Sequence, residues 1–128
     1  MATQRAPDGG ARIDARSDVP LRVTAAVAAI VAAAIHFALA VADLIPGEST
    51  RGPVFGLMGL GYVLSAAGVL ARRPVADGLV LLYAVGLVLA YATSRGDLPV
   101  EPIGLTTKGA ETIVAAICAF LLLRRPRG

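Results

Sequence analysis

The sequence is short of the residues that most enzyme chemistry needs. It holds one histidine, His36, one cysteine, Cys118, and no tryptophan. A single cysteine excludes an internal disulfide and any four-Cys or Cys/His zinc site. One histidine, with no serine placed to use it, leaves no nucleophile–base set. No P-loop, GxSxG, HExxH or CxxC occurs, and no internal repeat is visible. The glycines of the second apolar run follow no strand, so nothing supports a dinucleotide site. Charge is scarce as well, at 16% of residues. The net charge of +3 could point a soluble protein towards nucleic acid. Here no aromatic-rich basic stretch or nucleic-acid motif accompanies it. The basic residues sit at helix ends, where they set topology. These absences point to a non-enzymatic protein with no cofactor and no nucleic-acid partner.

What the sequence has is apolar length. Of the 128 residues 56% are hydrophobic, and the mean hydropathy is +0.72. A soluble domain this short does not normally carry four long apolar runs. The first, residues 21–44, is LRVTAAVAAIVAAAIHFALAVADL. Between Val23 and Ala42 it has twenty residues without a formal charge. As a helix that is about 30 Å, one hydrocarbon thickness. At 100° per residue, Ala25, Ala29, Ala32, His36, Ala40 and Asp43 share one stripe. Val23, Val27, Ile30, Val31, Phe37 and Val41 cover much of the other side. Small residues let a second helix approach closely, so the alanine stripe faces the other helices and carries His36 inward.

The remaining chain falls into order around that helix. Residues 1–20 are polar, with alternating Arg and Asp, and read as a disordered cytoplasmic tail. Pro46, Gly47, Gly52 and Pro53 punctuate a loop. Helices follow at about 54–71, 76–93 and 107–123, and a basic tail closes the chain at 124–128. In the second helix Gly52, Gly56 and Gly59 make one small face and Gly61, Ser65 and Gly68 another, as suits packing on two sides. In the third, Tyr83, Gly86, Ala90 and Thr93 share a side. Arg72-Arg73-Pro74 makes a short hairpin between these two. Met58 and Cys118 read as packing residues. Ala38-Leu39-Ala40 and Ala40-Val41-Ala42 resemble signal-peptide cleavage sites, but the apolar run exceeds the usual signal-peptide length. The N-terminal tail is therefore expected to stay attached.

Lysines and arginines set orientation. Nine lie in the two tails and the middle hairpin, and three, Arg51, Arg95 and Lys108, lie at the other side. Both termini are expected in the cytoplasm, with the protein a multi-pass component of the cell membrane.

The residues that could carry chemistry gather at the outer side. His36 lies about 21 Å beyond Arg22 along the helix, and Glu111 lies one turn, about 6 Å, into the fourth. In an up-down-up-down bundle the fourth helix returns beside the first, so the two can meet at similar depth. Asp43, Arg95 and Glu101, with Asp97 and Glu48, crowd the mouth above. Ionisable groups within a membrane are costly and rarely face lipid. His36 and Glu111, with Asp43, Arg95 and Glu101, therefore form a candidate polar site for a proton or cation. The competing reading is a structural hydrogen bond between helices, with Glu111 reaching Lys108, Arg95 or water. One histidine among scattered carboxylates is a thin metal-ligand set. Haem held by His36 alone would need a wide cavity, which alanine and glycine stripes oppose.

Several stretches also carry a resemblance. Ile35-His36 stands late in the first helix, Gly52-Pro53-Val54-Phe55 opens the second, and Arg72-Arg73-Pro74 forms the hairpin. Ser94-Arg95, Leu98-Pro99, Glu101-Pro102-Ile103-Gly104 and Glu111 follow. In this order the chain resembles small, uncharacterised four-span membrane proteins of high-GC actinobacteria, over about residues 21–123. That resemblance implies the architecture and no activity. It is incomplete at Ala42-Asp43, where those proteins often carry a Glu-His pair.

The expected fold is all-α, an antiparallel bundle of four transmembrane helices. The expected role is an interaction or accessory membrane subunit, whose partners are the lipid bilayer and other membrane subunits or itself. The alternative is a small transporter or a proton- or cation-binding protein using His36 and Glu111. Small multidrug exporters share the length and span number but depend on an acidic residue inside the first helix, where this chain offers only His36.

Overall fold

A computed structural model describes residues 9–43, 51–94 and 102–125. Four helices account for nearly all of them: α1 (Gly9–Asp43), α2 (Arg51–Leu70), α3 (Pro74–Ser94) and α4 (Pro102–Leu123). No strand occurs among the described residues. Each helix contains a stretch long and apolar enough to cross a membrane: Asp18–Val41, Gly52–Leu70, Pro74–Thr93 and Pro102–Leu123. The protein is thus an all-α antiparallel bundle of four helices, each long and apolar enough to span a membrane, as suits a small membrane protein. Around it the helices follow chain order, with α4 returning against α1, and the α2–α3 seam is the loosest. One end of the bundle, called here the hairpin end, carries the α2–α3 turn. The other, the loop end, is where α1 leads into α2 and α3 into α4.

α1 begins at Gly9, within the segment read from sequence as a disordered tail. Ala11 and Ala15 favour helix, and Asp18 stands four residues before Arg22, a helical charge-pair spacing. Pro20 lies inside the helix, and the Thr24 hydroxyl donates to its carbonyl at 2.7 Å. The buried face of α1 holds Ala25, Ala29, Ala32, His36 and Ala40, while Val23, Val27, Ile30, Val31, Phe37 and Val41 are exposed. The Asp43 side chain lies outside the described residues. Branched residues outward and alanines inward is how packing in lipid separates them, since lipid tails solvate the large side chains and close backbone approach rewards the small ones.

The two small faces of α2 meet different neighbours. A Cβ at Gly56 would touch Ala40, and one at Gly59 would press on the Phe37 ring, so that face lies on α1. A Cβ at Gly68 would meet Val80 and Ala76, and one at Gly61 would collide with the Tyr83 hydroxyl, so the other lies on α3. Pro53, Pro74 and Pro102 stand in the first turns of α2, α3 and α4. The missing N–H of proline costs nothing there. α4 therefore starts five residues earlier than expected from sequence. Between α2 and α3, Arg72 takes a left-handed backbone, φ 59°.

On α3 the buried residues are Asp77, Val80 and Ala84. Of the side read from sequence, Tyr83 is half-buried and Gly86, Ala90 and Thr93 are exposed. α4 buries Thr107, Ala110, Glu111, Val114, Cys118 and Leu121, a three-four spacing that makes one continuous stripe.

Candidate functional site

Two polar clusters lie inside the bundle, one near each end. The loop-end cluster starts from His36, which the alanine stripe of α1 turns inward. Its Nδ1 lies 2.7 Å from the Ala32 carbonyl oxygen, one turn back. A carbonyl can only accept, so Nδ1 carries a proton and donates it. That leaves Nε2 as the nitrogen facing the bundle. It points at Glu111 Oε1, 3.9 Å away on α4. Glu111 is completely buried. Its second oxygen, Oε2, accepts from the Lys108 ammonium one turn before it. The Lys108 ammonium also sits 4.9 Å above the Tyr91 ring of α3, a cation–π contact.

Tyr62 of α2 completes the cluster. It is completely buried. Its ring centroid is 5.4 Å from His36, and it meets Tyr83 of α3 edge-on at 5.0 Å. Tyr83 donates its hydroxyl to the Met58 carbonyl at 2.7 Å, which fixes the wall behind Tyr62. Phe55 flanks the histidine from the loop side, at 6.2 Å. Among the described residues only two buried side-chain atoms lack a hydrogen bond, the Tyr62 hydroxyl and Glu111 Oε1. Both belong to this cluster.

The hairpin-end cluster is built on Asp77, also completely buried, in the first turn of α3. Arg22 of α1 grips it with two parallel bonds, Nη1 to Oδ1 at 2.9 Å and Nη2 to Oδ2 at 3.0 Å. Arg22 Nη1 also donates to the Val69 carbonyl at 2.7 Å, near the end of α2. Arg125, just past α4, adds a bond to Oδ2 at 3.0 Å. Around it, Arg124 lies 3.6 Å from Asp18. Arg22 of α1 and Arg125 just past α4 thus both donate to this carboxylate of α3, α2 is tied in through Arg22, and each carboxylate oxygen has a donor.

Of the residues singled out from sequence, His36 and Glu111 come together at the loop end. The Asp43 side chain, Arg95 and Glu101 lie outside the described residues. Sequence reasoning passed over Tyr62, Arg22 and Asp77. Tyr62 stands on the stripe Gly59, Tyr62, Ala66, Val69, whose three-four spacing is visible in the sequence and buried in the structure. Asp77 looks like an ordinary first-turn acid, and Arg22 like a charge that only sets topology. Among the described residues no three His, Cys, Asp or Glu side chains gather as a metal site. No protein-family model, no curated protein and no solved structure matches the chain, so the bundle and its two clusters stand on their own geometry.

Proposed function

We propose that the protein is an interaction or accessory subunit of the cell membrane, with both termini in the cytoplasm, and that it works by packing α3 against another membrane protein or a second copy of itself. The supporting observation is the state of α3. In its most apolar stretch 17% of residues are buried, against 44% for α1. Gly78 and Gly86 have nothing within 4 Å of where a Cβ would stand. Glycine in a helix costs about 1 kcal/mol relative to alanine, and these two gain no contact inside the monomer in return. Beside them, between α2 and α3, runs a groove of about 260 Å³ lined by Gly61, Ser65, Gly68 and Ala76 with Leu79 and Tyr83. Small residues that let backbones approach are what helix association in lipid uses. The chain's resemblance to small four-span actinobacterial membrane proteins belongs to this proposal and adds no activity to it.

Cross-linking in native membranes, followed by purification, tests the reading. The wild type should be recovered with a partner or as a dimer, and Gly78→Leu with Gly86→Leu should abolish that while leaving a folded monomer. Recovery of the wild type alone would sink it. Orientation is tested separately: reporter fusions after Arg73 and after Arg127 should report cytoplasm, and one after Gly47 the outside. The second reading, a proton- or cation-binding protein, draws on a different observation, the unpaired polar atoms around His36 and Glu111.

A further inference from the structure

We propose that the loop-end cluster is a proton-binding site, in which one proton is held at His36 Nε2 and directed at Glu111 Oε1. The inference rests on the polar groups of that cluster and is independent of how α3 packs. The groups facing the site come from every helix. They are His36 from α1, Tyr62 from α2, Lys108 and Glu111 from α4, and Tyr83 from α3, whose ring meets Tyr62 edge-on and whose hydroxyl is committed to the Met58 carbonyl.

Counting protons decides what is missing. His36 Nδ1 has its acceptor, and Glu111 Oε2 has its donor in Lys108. Three polar atoms remain: His36 Nε2, Glu111 Oε1 and the Tyr62 hydroxyl, the last two buried without a hydrogen bond. With a neutral imidazole, Nε2 and Oε1 are both acceptors and stand 3.9 Å apart, and the Tyr62 hydroxyl of the same cluster has one proton to give. One donor cannot satisfy two acceptors that face each other. A single added proton resolves this. Nε2 becomes a donor towards Oε1, and the tyrosine hydroxyl is free to donate to the same carboxylate. The step is a plain proton transfer. Hydronium or a buffer acid gives up the proton, the Nε2 lone pair forms the N–H bond, and no electron moves. A metal cation fits less well, because the same carboxylate already holds an ammonium and the described residues supply no third His, Cys, Asp or Glu.

Binding there has a mechanical result. The proton converts a gap between α1 and α4 into a charge-assisted bond, so the loop end is tied in acid and released in base. Lys108, half-buried near the start of α4, lies between Glu111 and the loop end and donates to Oε2, which leaves Oε1 as the carboxylate oxygen facing His36.

The sole histidine makes the test direct. The full chain, labelled with ¹⁵N-histidine in lipid nanodiscs, is followed by NMR across about pH 5 to 8, the range in which histidine changes charge. The expected result is an Nδ1–H signal throughout and an Nε2–H signal that appears on the acid side. In Glu111→Gln the side-chain amide can donate to Nε2 instead, so the ring should stay neutral at the pH where the wild type is doubly protonated. A wild-type ring that stays neutral across the range, or that carries its neutral proton on Nε2, would overturn the proposal. So would a ring that responds to added Zn²⁺ and not to acid. The wild-type spectrum alone decides tautomer and charge, so the outcome does not hang on the variant folding.

Discussion

The two ends of the bundle contain the same ingredients and use them differently. Each places one completely buried carboxylate among all four helices with a basic side chain beside it. At the hairpin end Asp77 has donors on both oxygens, from Arg22 and Arg125, and Arg22 spends a further N–H on the Val69 carbonyl. Position helps as well. Asp77 stands at the helix N-terminus, where the backbone field favours a negative charge, and Arg22 meets the C-terminal end of α2, where it favours a positive one. At the loop end Glu111 has one oxygen paired and one bare, opposite a histidine nitrogen and a tyrosine hydroxyl. The lesson is that burial of charge does not mark a working site in this molecule. Completeness of hydrogen bonding separates a clasp from a site with room for a proton.

The sharpest way to break that comparison is the same amide swap at both ends. Asp77→Asn sets an NH₂ against two guanidinium groups and leaves Arg22 as a buried charge without its counter-ion. The expected loss is about 3–5 kcal/mol, the usual cost of breaking a buried pair. It is to be read from denaturation of the detergent-solubilised protein. A cost under 1 kcal/mol would show that the hairpin end is not the clasp described.

Gly61→Ala probes the wall between the ends. Its new methyl collides with the Tyr83 hydroxyl, and overpacking of this kind costs about 1–3 kcal/mol. The effect should reach the loop end through the Tyr83–Tyr62 edge contact and leave the Arg22–Asp77 pair intact. Histidine NMR of the variant should therefore change, and a spectrum matching the wild type would contradict the coupling.

Glu111→Gln, the counterpart of the first swap, should cost less than about 1 kcal/mol near neutral pH. The amide oxygen still accepts from Lys108, which keeps some exposure, and the new donor meets the bare imidazole nitrogen, while the Tyr62 hydroxyl stays without a bond as it is in the wild type. A loss as large as that at Asp77 would erase the distinction between the two ends. The smallest effect belongs to the turn. Arg72 holds a left-handed backbone that costs an L side chain about 1–2 kcal/mol. Replacing it by glycine removes that cost but loosens the unfolded chain. Arg72→Gly should raise stability by at most about 1 kcal/mol, seen as a small upward shift in the unfolding midpoint.

How legible each part was depended on contrast within the sequence. α1 could be read because its apolar residues differ in size, so alanines and branched side chains sort to opposite faces. α3 could not, because Leu and Val surround it and its buried face, Asp77, Val80 and Ala84, has no apolar periodicity to show. The start of α4 was misplaced because Pro102 and Gly104 look like loop punctuation, although proline in a first turn also opens α2 and α3. The nearness of His36 and Glu111 followed from two constraints, helix rise setting depth and short connections setting neighbours. No comparable rule pairs Arg22 with Asp77, since Arg22 had already been spent on topology and the two lie 55 residues apart. Tyr62 needed only closer attention to the spacing of α2. What Asp43, Arg95 and Glu101 do lies outside the described residues.

The Arg22–Asp77–Arg125 clasp also bears on how the chain is assembled. Its three side chains are synthesised in the order Arg22, Asp77, Arg125, so the cation is already waiting when the acid emerges. The Arg22–Asp77 pair needs only the first and third spans, so Asp77 has its counter-ion available before α4 exists. Arg125 comes last and adds its bond to Oδ2 only when the whole of α4 has been laid down beside α1. In order of synthesis, then, this corner of the molecule is a joint whose first bonds require three spans and whose last requires the fourth.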